Sequence, residues 1–384
     1  MTTNTLLLNN DLCSGCTACY NICPTKAISL SSNREGFLYP EINETLCIDC
    51  NKCISVCQIH NSWENLLYKP LDQSLYAAKA KNELIRSNSS SGGLFTVVAQ
   101  KVLEKDGLVY AVKLDSDLNC VHFRISTIEE LEKARGSKYV QSNLKVIFNN
   151  IKIDLNKKKM VLFVGTPCQV AGLKFFLKNE HPLLFTIDLF CLGVCSPLIY
   201  NKWLDYLNKE KIKTINFRNK TMSWHNSKIS VSYNRNKNLI NRKTQLYSTL
   251  FGNHFILRKS CYICQFSKSK RLGDISLGDF WGIETLHPEF DDDKGISALI
   301  INTNKGYEMV NTIKPELDVL QSHFGNYLQF QPCLHKPAWL PKNREQFWNE
   351  YLKKGFKKTA KKYVGKDIFN RGIRYIKRKL NGKK

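Results

Sequence analysis

The period of the apolar residues changes several times along this chain, and each change marks an element. Leu75-Tyr-Ala-Ala-Lys-Ala80 and Gly107-Leu-Val-Tyr-Ala-Val112 read as strands, and residues 94–103, 128–134, 144–155 and 169–177 carry apolar positions at helical spacing. Met160-Val-Leu-Phe-Val-Gly165 and Leu183-Leu-Phe-Thr-Ile-Asp-Leu-Phe190 are short, almost wholly apolar runs, the pattern of strands covered on both faces. Strands alternating with helices predict an α/β (α+β) domain built on a mixed or parallel sheet. Residues 201–250, rich in Asn and Lys with weak alternation, predict irregular strands and loops. The first 65 residues show instead a cysteine loop followed by a short helix, twice over. The divisions expected are therefore 1–65, 70–150, 151–335 and a tail at 341–384.

Composition narrows the class. With 384 residues, 43% of them hydrophobic, the chain has room for two or three domains with their own cores. Its most apolar stretch, residues 182–200, is broken by Asp188 and Pro197 and is too short to span a bilayer. Met1-Thr-Thr-Asn opens no charged region followed by an apolar core, so no secretion signal is expected and the location expected is cytoplasmic. The net charge is +24, of which residues 341–384, with sixteen basic residues against three acidic ones, supply +13. Phe369, Ile373, Ile376 and Leu380 fall on one helical stripe of that tail, which suits either peripheral contact with the anionic inner face of a membrane or, equally, a solvated basic helix or a packed end cap. Charge alone would also suit nucleic acid, but no recognition motif accompanies it, so that reading is weak.

Eight of the fifteen cysteines form two near-identical runs, Cys13-x2-Cys16-x2-Cys19-x3-Cys23-Pro24 and Cys47-x2-Cys50-x2-Cys53-x3-Cys57. This is the spacing of a bacterial-type ferredoxin with two [4Fe–4S] clusters, in which the fourth cysteine of each run ligates the other cluster. Cys13, Cys16, Cys19 and Cys57 are thus assigned to one cluster, and Cys47, Cys50, Cys53 and Cys23 to its neighbour. Zinc has no use for a third evenly spaced cysteine repeated twice, and disulfides do not suit thiols kept reduced for metal. Gln58 stands where the second run would carry a proline.

Seven cysteines remain. Cys168 opens a helix after one buried strand, Cys191 ends the next, and Cys261-x2-Cys264 is a two-ligand clip needing two partners. Together they suggest a third [4Fe–4S] cluster, whereas Cys120 and Cys333 read as inert buried thiols. Ser89-Ser-Ser-Gly-Gly93, opening a helix, and Arg135-Gly-Ser-Lys-Tyr-Val-Gln-Ser142 could each hold a phosphate, or simply form turns. A protein that couples one-electron clusters to an organic substrate commonly needs a flavin, so a flavin phosphate is the sensible ligand there. Trp281, in Gly278-Asp-Phe-Trp-Gly282, suits either a flavin contact or a core turn, and His225 reads as a surface residue.

At these motifs the chain resembles the family of coenzyme F420 hydrogenase/dehydrogenase beta subunits, in the form preceded by a two-cluster ferredoxin domain. The resemblance rests on Ser89-Ser-Ser-Gly-Gly93, Gly136-Ser-Lys-Tyr-Val-Gln-Ser142, Gly165-Thr-Pro-Cys-Gln169, Asp188-Leu-Phe-Cys191, Phe217-Arg218, Cys261-Tyr-Ile-Cys264 and Asp274-Ile-Ser-Leu-Gly-Asp-Phe-Trp-Gly282. It implies an FAD-binding α/β domain of that type, with Ser90, Ser91, Gly92, Gly93, Gly136, Ser137, Lys138 and Tyr139 at the flavin. It implies Cys168, Cys191, Cys261 and Cys264 as ligands of the third cluster. Where relatives often read Cys-His-Gly-Val-Pro this chain has Cys191-Leu-Gly-Val-Cys195, which leaves Cys195 as an alternative ligand. The function implied is an iron–sulfur flavoprotein oxidoreductase passing electrons from a carrier such as ferredoxin through the clusters to FAD and an organic substrate. Bacterial relatives of this kind resemble accessory enzymes of cell-surface polysaccharide synthesis. The alternative is a non-catalytic electron-transfer subunit serving a partner enzyme.

Overall fold

The computed structural model describes residues 11–66, 74–234 and 237–381. The N-terminal module holds the two cysteine loops, short helices Ala18–Ile22 and Lys52–Ser55, and an antiparallel hairpin of β1 (Ile28–Ser32) and β2 (Leu38–Ile42). The expected pair of loops and helices is there; the hairpin between them has no strong alternation to announce it.

The rest is built on one eight-stranded mixed sheet. Its strands are β3 (Ser74–Ala80), β4 (Leu108–Leu114), β5 (Cys120–Ile125), β6 (Val161–Gly165) and β7 (Leu184–Leu189). After β8 (Thr214–Asn219), β9 (Lys228–Asn234) and β10 (Lys237–Leu239), which form a separate antiparallel sheet, come β11 (Ile275–Asp279), β12 (Ser297–Ile301) and β13 (Leu317–Ser322). The large sheet runs in the order β13-β3-β12-β11-β7-β6-β4-β5. Its central four strands, β4, β6, β7 and β11, are parallel, and the outer strands are antiparallel. The wholly apolar reading of β6 has a direct cause. Leu162 and Val164 pack on one face with helix Leu94–Glu104, while Val161 and Phe163 pack on the other with helices Ile147–Asn156 and Pro167–Leu177.

Two expectations are corrected. Residues 201–250 are ordered elements, β8 to β10 with helix Arg242–Gly252, whose apolar positions enter a second core around Trp203 and Tyr247. The region expected as a tail at 341–384 is not one throughout. Helix Arg344–Asn381 buries Phe347, Trp348, Tyr351, Phe356, Ala360 and Val364 in that core. Gly355, at φ 70°, kinks it where two helical runs join. The side chains of Phe369, Ile373, Ile376 and Leu380, on which the membrane stripe rests, lie outside the described ones. Among the described residues no helix is long and apolar enough to cross a membrane.

The same helix ties down the N-terminal module. Arg344 forms a two-pronged ion pair with Glu35, Nη1 to Oε1 at 2.9 Å, and both groups are buried. Arg344 also donates to Tyr262 Oη and the Leu257 carbonyl, and Arg34 pairs with Glu345 at the rim. Removing one member of such a pair strands the other charge away from water. Glu35→Ala is therefore expected to lower stability by about 3–5 kcal/mol, read as an earlier denaturant midpoint under anaerobic conditions. A loss below about 1 kcal/mol would show that Arg344 is satisfied without Glu35.

Candidate iron–sulfur centres

The internal repeat extends to the backbone. Gly15 and Thr17 in the first loop, at φ 72° and 64°, correspond to Asp49 and Asn51 in the second, at φ 48° and 56°. Left-handed residues at alternate positions curl each loop so that successive N–H groups and thiols face inward. Glycine, Asn and Asp accept this conformation readily; Thr17, being β-branched, does not, and its strain sits beside Cys16. Cys13, Cys16, Cys19 and Cys57 line one cavity of about 290 Å³. Cys23, Cys47, Cys50 and Cys53 line a second. The exchange of the fourth cysteine between runs, expected from the spacing, is how the fold groups them.

Burial pushes the Cys16 thiol up to about 12, with Cys13 and Cys57 adding to the effect, and Cys19 and Cys57 move the same way. Buried thiols this close together resist ionising side by side. Iron bound here would supply the compensating charge, since it is the thiolate that ligates.

The third set forms at the carboxyl edge of the parallel strands, where open α/β sheets place their sites. Cys168 is the second residue of helix Pro167–Leu177, directly after β6, with Thr166 as N-cap and Gln169 completing a capping box. Cys191 follows β7. Cys261 and Cys264 come from the 3₁₀ turn Lys259–Ile263 and the residue after it. Arg271 anchors the loop beyond Cys264 by donating from Nε and Nη2 to Asp188 Oδ1, at 3.0 and 2.7 Å, at the end of β7. Cys168, Cys191 and Cys261 are all pushed up first by burial, and each feels the neighbouring thiols of the set. The Val194 N–H donates to Cys261 Sγ at 3.4 Å.

Cys195 points elsewhere, buried among Ile199, Trp203 and Tyr247 with its thiol at the Tyr247 hydroxyl. The geometry thus brings Cys191, and not Cys195, to the other three. Cys333, read from sequence as inert, lies against this set with its thiol at the Cys191 N–H. Nothing in its local sequence signals this, because β11, β12 and β13 intervene before the chain returns.

First and third sets are neighbours. A Cβ on Gly172 would lie 2.7 Å from Cys16 Cβ and 3.0 Å from its Sγ, so only glycine lets this helix approach the loop. Gln58 is buried between them and donates to Ser14 Oγ and, at 3.3 Å, to the Cys168 carbonyl. A proline there could not make this link.

The two Ser/Gly segments also meet on the same edge, where the Ser137 N–H donates to Ser90 Oγ at 2.7 Å. Most of their polar groups are spent inside the protein. Ser91 Oγ donates to the Ile296 carbonyl, the Gly92 N–H to Ser297 Oγ, and a Cβ on Gly92 would stand 2.4 Å from the Ala78 carbonyl. Gly93 takes a left-handed turn ahead of helix Leu94–Glu104. Lys138 is not aimed at a phosphate. Its ammonium donates to the carbonyls of Lys133, Ala134 and Arg135, closing the turn after helix Ile128–Glu132, and burial lowers it to about 8. Tyr139 stacks on Phe251 in the core.

Among the described residues Arg218 has two donors left open, and Arg135 Nε is open too. Arg218 is buried, pairs with Asp279 at 2.7 Å, lies 5.0 Å from the centre of the Trp281 ring, and keeps Nε and Nη2 without partners. The donor set therefore fits a carbonyl or anionic group at Arg218 and does not fit one at Lys138. Trp281 stacks on Trp224 at 5.1 Å, the core arrangement. His225 Nε2 is held by Asp291 at 2.8 Å.

Residues 75–148 match the family model described as coenzyme F420 hydrogenase/dehydrogenase, beta subunit N-term, and residues 158–321 match the corresponding C terminus. Residues 12–61 match a 4Fe-4S dicluster domain. The chain belongs to the family of coenzyme F420 hydrogenase/dehydrogenase beta subunits. Its dicluster module binds [4Fe–4S] clusters. This beta-subunit homologue is 24% identical over 334 residues to an uncharacterized protein of Methanocaldococcus jannaschii, covering 78% of this chain and 82% of that one. It is 22% identical over 197 residues to a subunit of the F(420)H(2) dehydrogenase of Methanosarcina mazei, covering 48% and 55% of the two chains. Identity is also 22% over 334 residues with the coenzyme F420-dependent sulfite reductase of Methanocaldococcus jannaschii, across 80% of this chain and 47% of the other. The chain thus spans about half the length of these two named relatives. Among solved structures, a chain of the F420-reducing [NiFe] hydrogenase complex of Methanosarcina barkeri is similar at TM-score 0.46 and 19% identity, over 78% of this chain and 93% of that one.

The position of Lys138 has a measurable consequence. Lys138→Met is expected to lower unfolding stability by about 1.5–3 kcal/mol, the loss of charge-assisted bonds to backbone carbonyls, with no change in whatever flavin binding a titration of the folded protein detects. Unchanged stability with weakened flavin binding would restore the phosphate role.

Proposed function

We propose that this protein is an iron–sulfur electron relay of a flavin-linked oxidoreductase, with its three cysteine sets as a row of [4Fe–4S] sites ending at FAD. The observation that carries this reading is the contact of the first and third sets through Gly172 and Gln58, with the second set on the outside. Bound clusters supply one-electron carriers, and bound FAD supplies the exchange between single electrons and the pair an organic acceptor takes. Cys13, Cys16, Cys19 and Cys57 would hold one cluster, Cys23, Cys47, Cys50 and Cys53 a second, and Cys168, Cys191, Cys261 and Cys264 a third. Ser90, Gly136, Ser137 and Arg218 would meet the flavin, with Arg218 offering its two open donors.

The protein's own residues divide the work. Leu46 and Ile48, 49% and 64% exposed, precede the exposed Cys50 in its loop and would offer a docking face for a reduced one-electron carrier of the ferredoxin class. Gly172 and Gln58 keep the inner sets close. The names of the relatives suggest coenzyme F420 as the organic acceptor. A subunit without its own substrate, delivering electrons inside a larger assembly, is the second reading. It is favoured by the name of the Methanosarcina mazei relative, which is itself a dehydrogenase subunit. The basic end of helix Arg344–Asn381 would rest on an anionic membrane surface at the cytoplasmic face.

Anaerobically purified protein is expected to hold about twelve irons, four per cubane, with non-covalent FAD. Replacing Cys261 and Cys264 together by Ser should remove about a third of that iron and spare the ferredoxin-type signal. Iron unchanged in that variant removes the third site. Wild-type protein that carries no flavin and binds none on titration leaves the second reading.

A further inference from the structure

Arg258 is completely buried, and none of the described carboxylates pairs with it. Its Nε donates to the Cys13 carbonyl, Nη1 to Gln141 Oε1 at 2.9 Å, and Nη2 to the Leu38 carbonyl at 3.0 Å and to Cys13 Sγ at 3.6 Å. The guanidinium lies 4.1 Å from the centre of the Tyr39 ring and 5.4 Å from that of Phe37. Its own backbone carbonyl accepts from the Cys261 N–H, so it stands between the first and third cysteine sets. A buried guanidinium with neutral acceptors alone is strongly unfavourable, so its surroundings must supply negative charge.

The equivalent position in the repeat is built the opposite way. Cys47 matches Cys13 in the second run, and its Sγ lies 3.8 Å from Asp49 Oδ1. Two loops of the same backbone shape therefore hold their leading cysteines against opposite charges, a cation in the dry loop and a carboxylate in the exposed one.

We propose that Arg258 raises the reduction potential of the cluster held by Cys13, Cys16, Cys19 and Cys57, by supplying the positive charge that its reduced state requires. This rests on the reading of the cysteine sets as cluster sites. Reduction adds one electron and no proton to a cubane already anionic with its four thiolates, so the reduced form carries one more negative charge. Burial by itself opposes that charge, and the potential of such a centre follows net charge, hydrogen bonds to sulfur and exposure. The guanidinium offsets the burial at the inner site and makes it a sink for an electron arriving from the second set. Arg258 acts through Cys13, as a positioning residue for charge.

The test is a dithionite titration of the intact protein followed by EPR, with iron content measured on every sample. In Arg258→Gln the ratio of reduced to oxidised first cluster at a set potential should fall tenfold or more, which is 59 mV for a one-electron couple. The second cluster should not move, and Arg258→Lys, which keeps the charge, should fall less. An Arg258→Gln protein with full iron and an unmoved first cluster overturns the proposal, as does an equal shift of both clusters. If Arg258→Gln fails to take up the first cluster, wild-type protein labelled with nitrogen-15 arginine decides. Pulsed EPR should find arginine nitrogen coupled to the reduced first cluster, and its absence there overturns the proposal. Wild-type protein with no iron at all would instead contradict the cluster reading itself.

Discussion

Two buried guanidinium groups hold the N-terminal module onto the carboxyl edge of the sheet, and the closeness of the first and third cysteine sets depends on that attachment. Arg344 reaches Glu35 from the last helix, and Arg258 reaches Cys13 and Leu38 from the segment leading to Cys261. Both take fixed, forked sets of acceptors, which an ammonium could not satisfy in the same way. A module attached only by its linker would let the first and third sets drift apart. Held by two buried arginines, Cys16 stays against Gly172 and Gln58 stays against Cys168.

The carboxyl edge collects the rest because the topology leaves no other place for it. β6, β7 and β11 run the same way, so the residues that follow each of them emerge side by side: Cys168, Cys191, and Phe280 with Trp281. The Asp188–Arg271 pair, buried on both sides, fixes the end of β7 to the loop after Cys264. The third set is thus assembled by strand order and one ion pair, while the first two are assembled by the local curl of a repeated loop. Covalently distant ligands need a rigid frame; adjacent ligands need only the left-handed residues between them.

Much of this was legible in the sequence, unevenly. The two cysteine runs announced their own grouping, because a fixed spacing on a tight loop leaves little freedom. The apolar runs of β6 and β7 announced a sheet covered on both faces. Cys191 and Cys195 could not be separated by spacing; only the packing of Cys195 against Tyr247 separates them. Lys138 looked like a phosphate contact because a Gly-Ser-Lys turn is ambiguous until the direction of the ammonium is known. The basic residues of 341–364 concealed an apolar stripe that begins at Phe347, since charge averages hide a face. Glu35, Arg258 and Arg344 gave no signal, because a buried ion pair or a buried guanidinium bonded across two modules leaves no local pattern in either.

The central claim is that the fold holds three iron–sulfur centres in a row, with the Cys13 set in the middle. Iron anomalous diffraction from crystals grown without air tests it most directly. Three peaks are expected, one within each cysteine set, with the peak at Cys13, Cys16, Cys19 and Cys57 lying between the other two. Anomalous scattering from zinc in any set, an empty third set, or a middle peak at Cys168 and Cys191 would contradict the account.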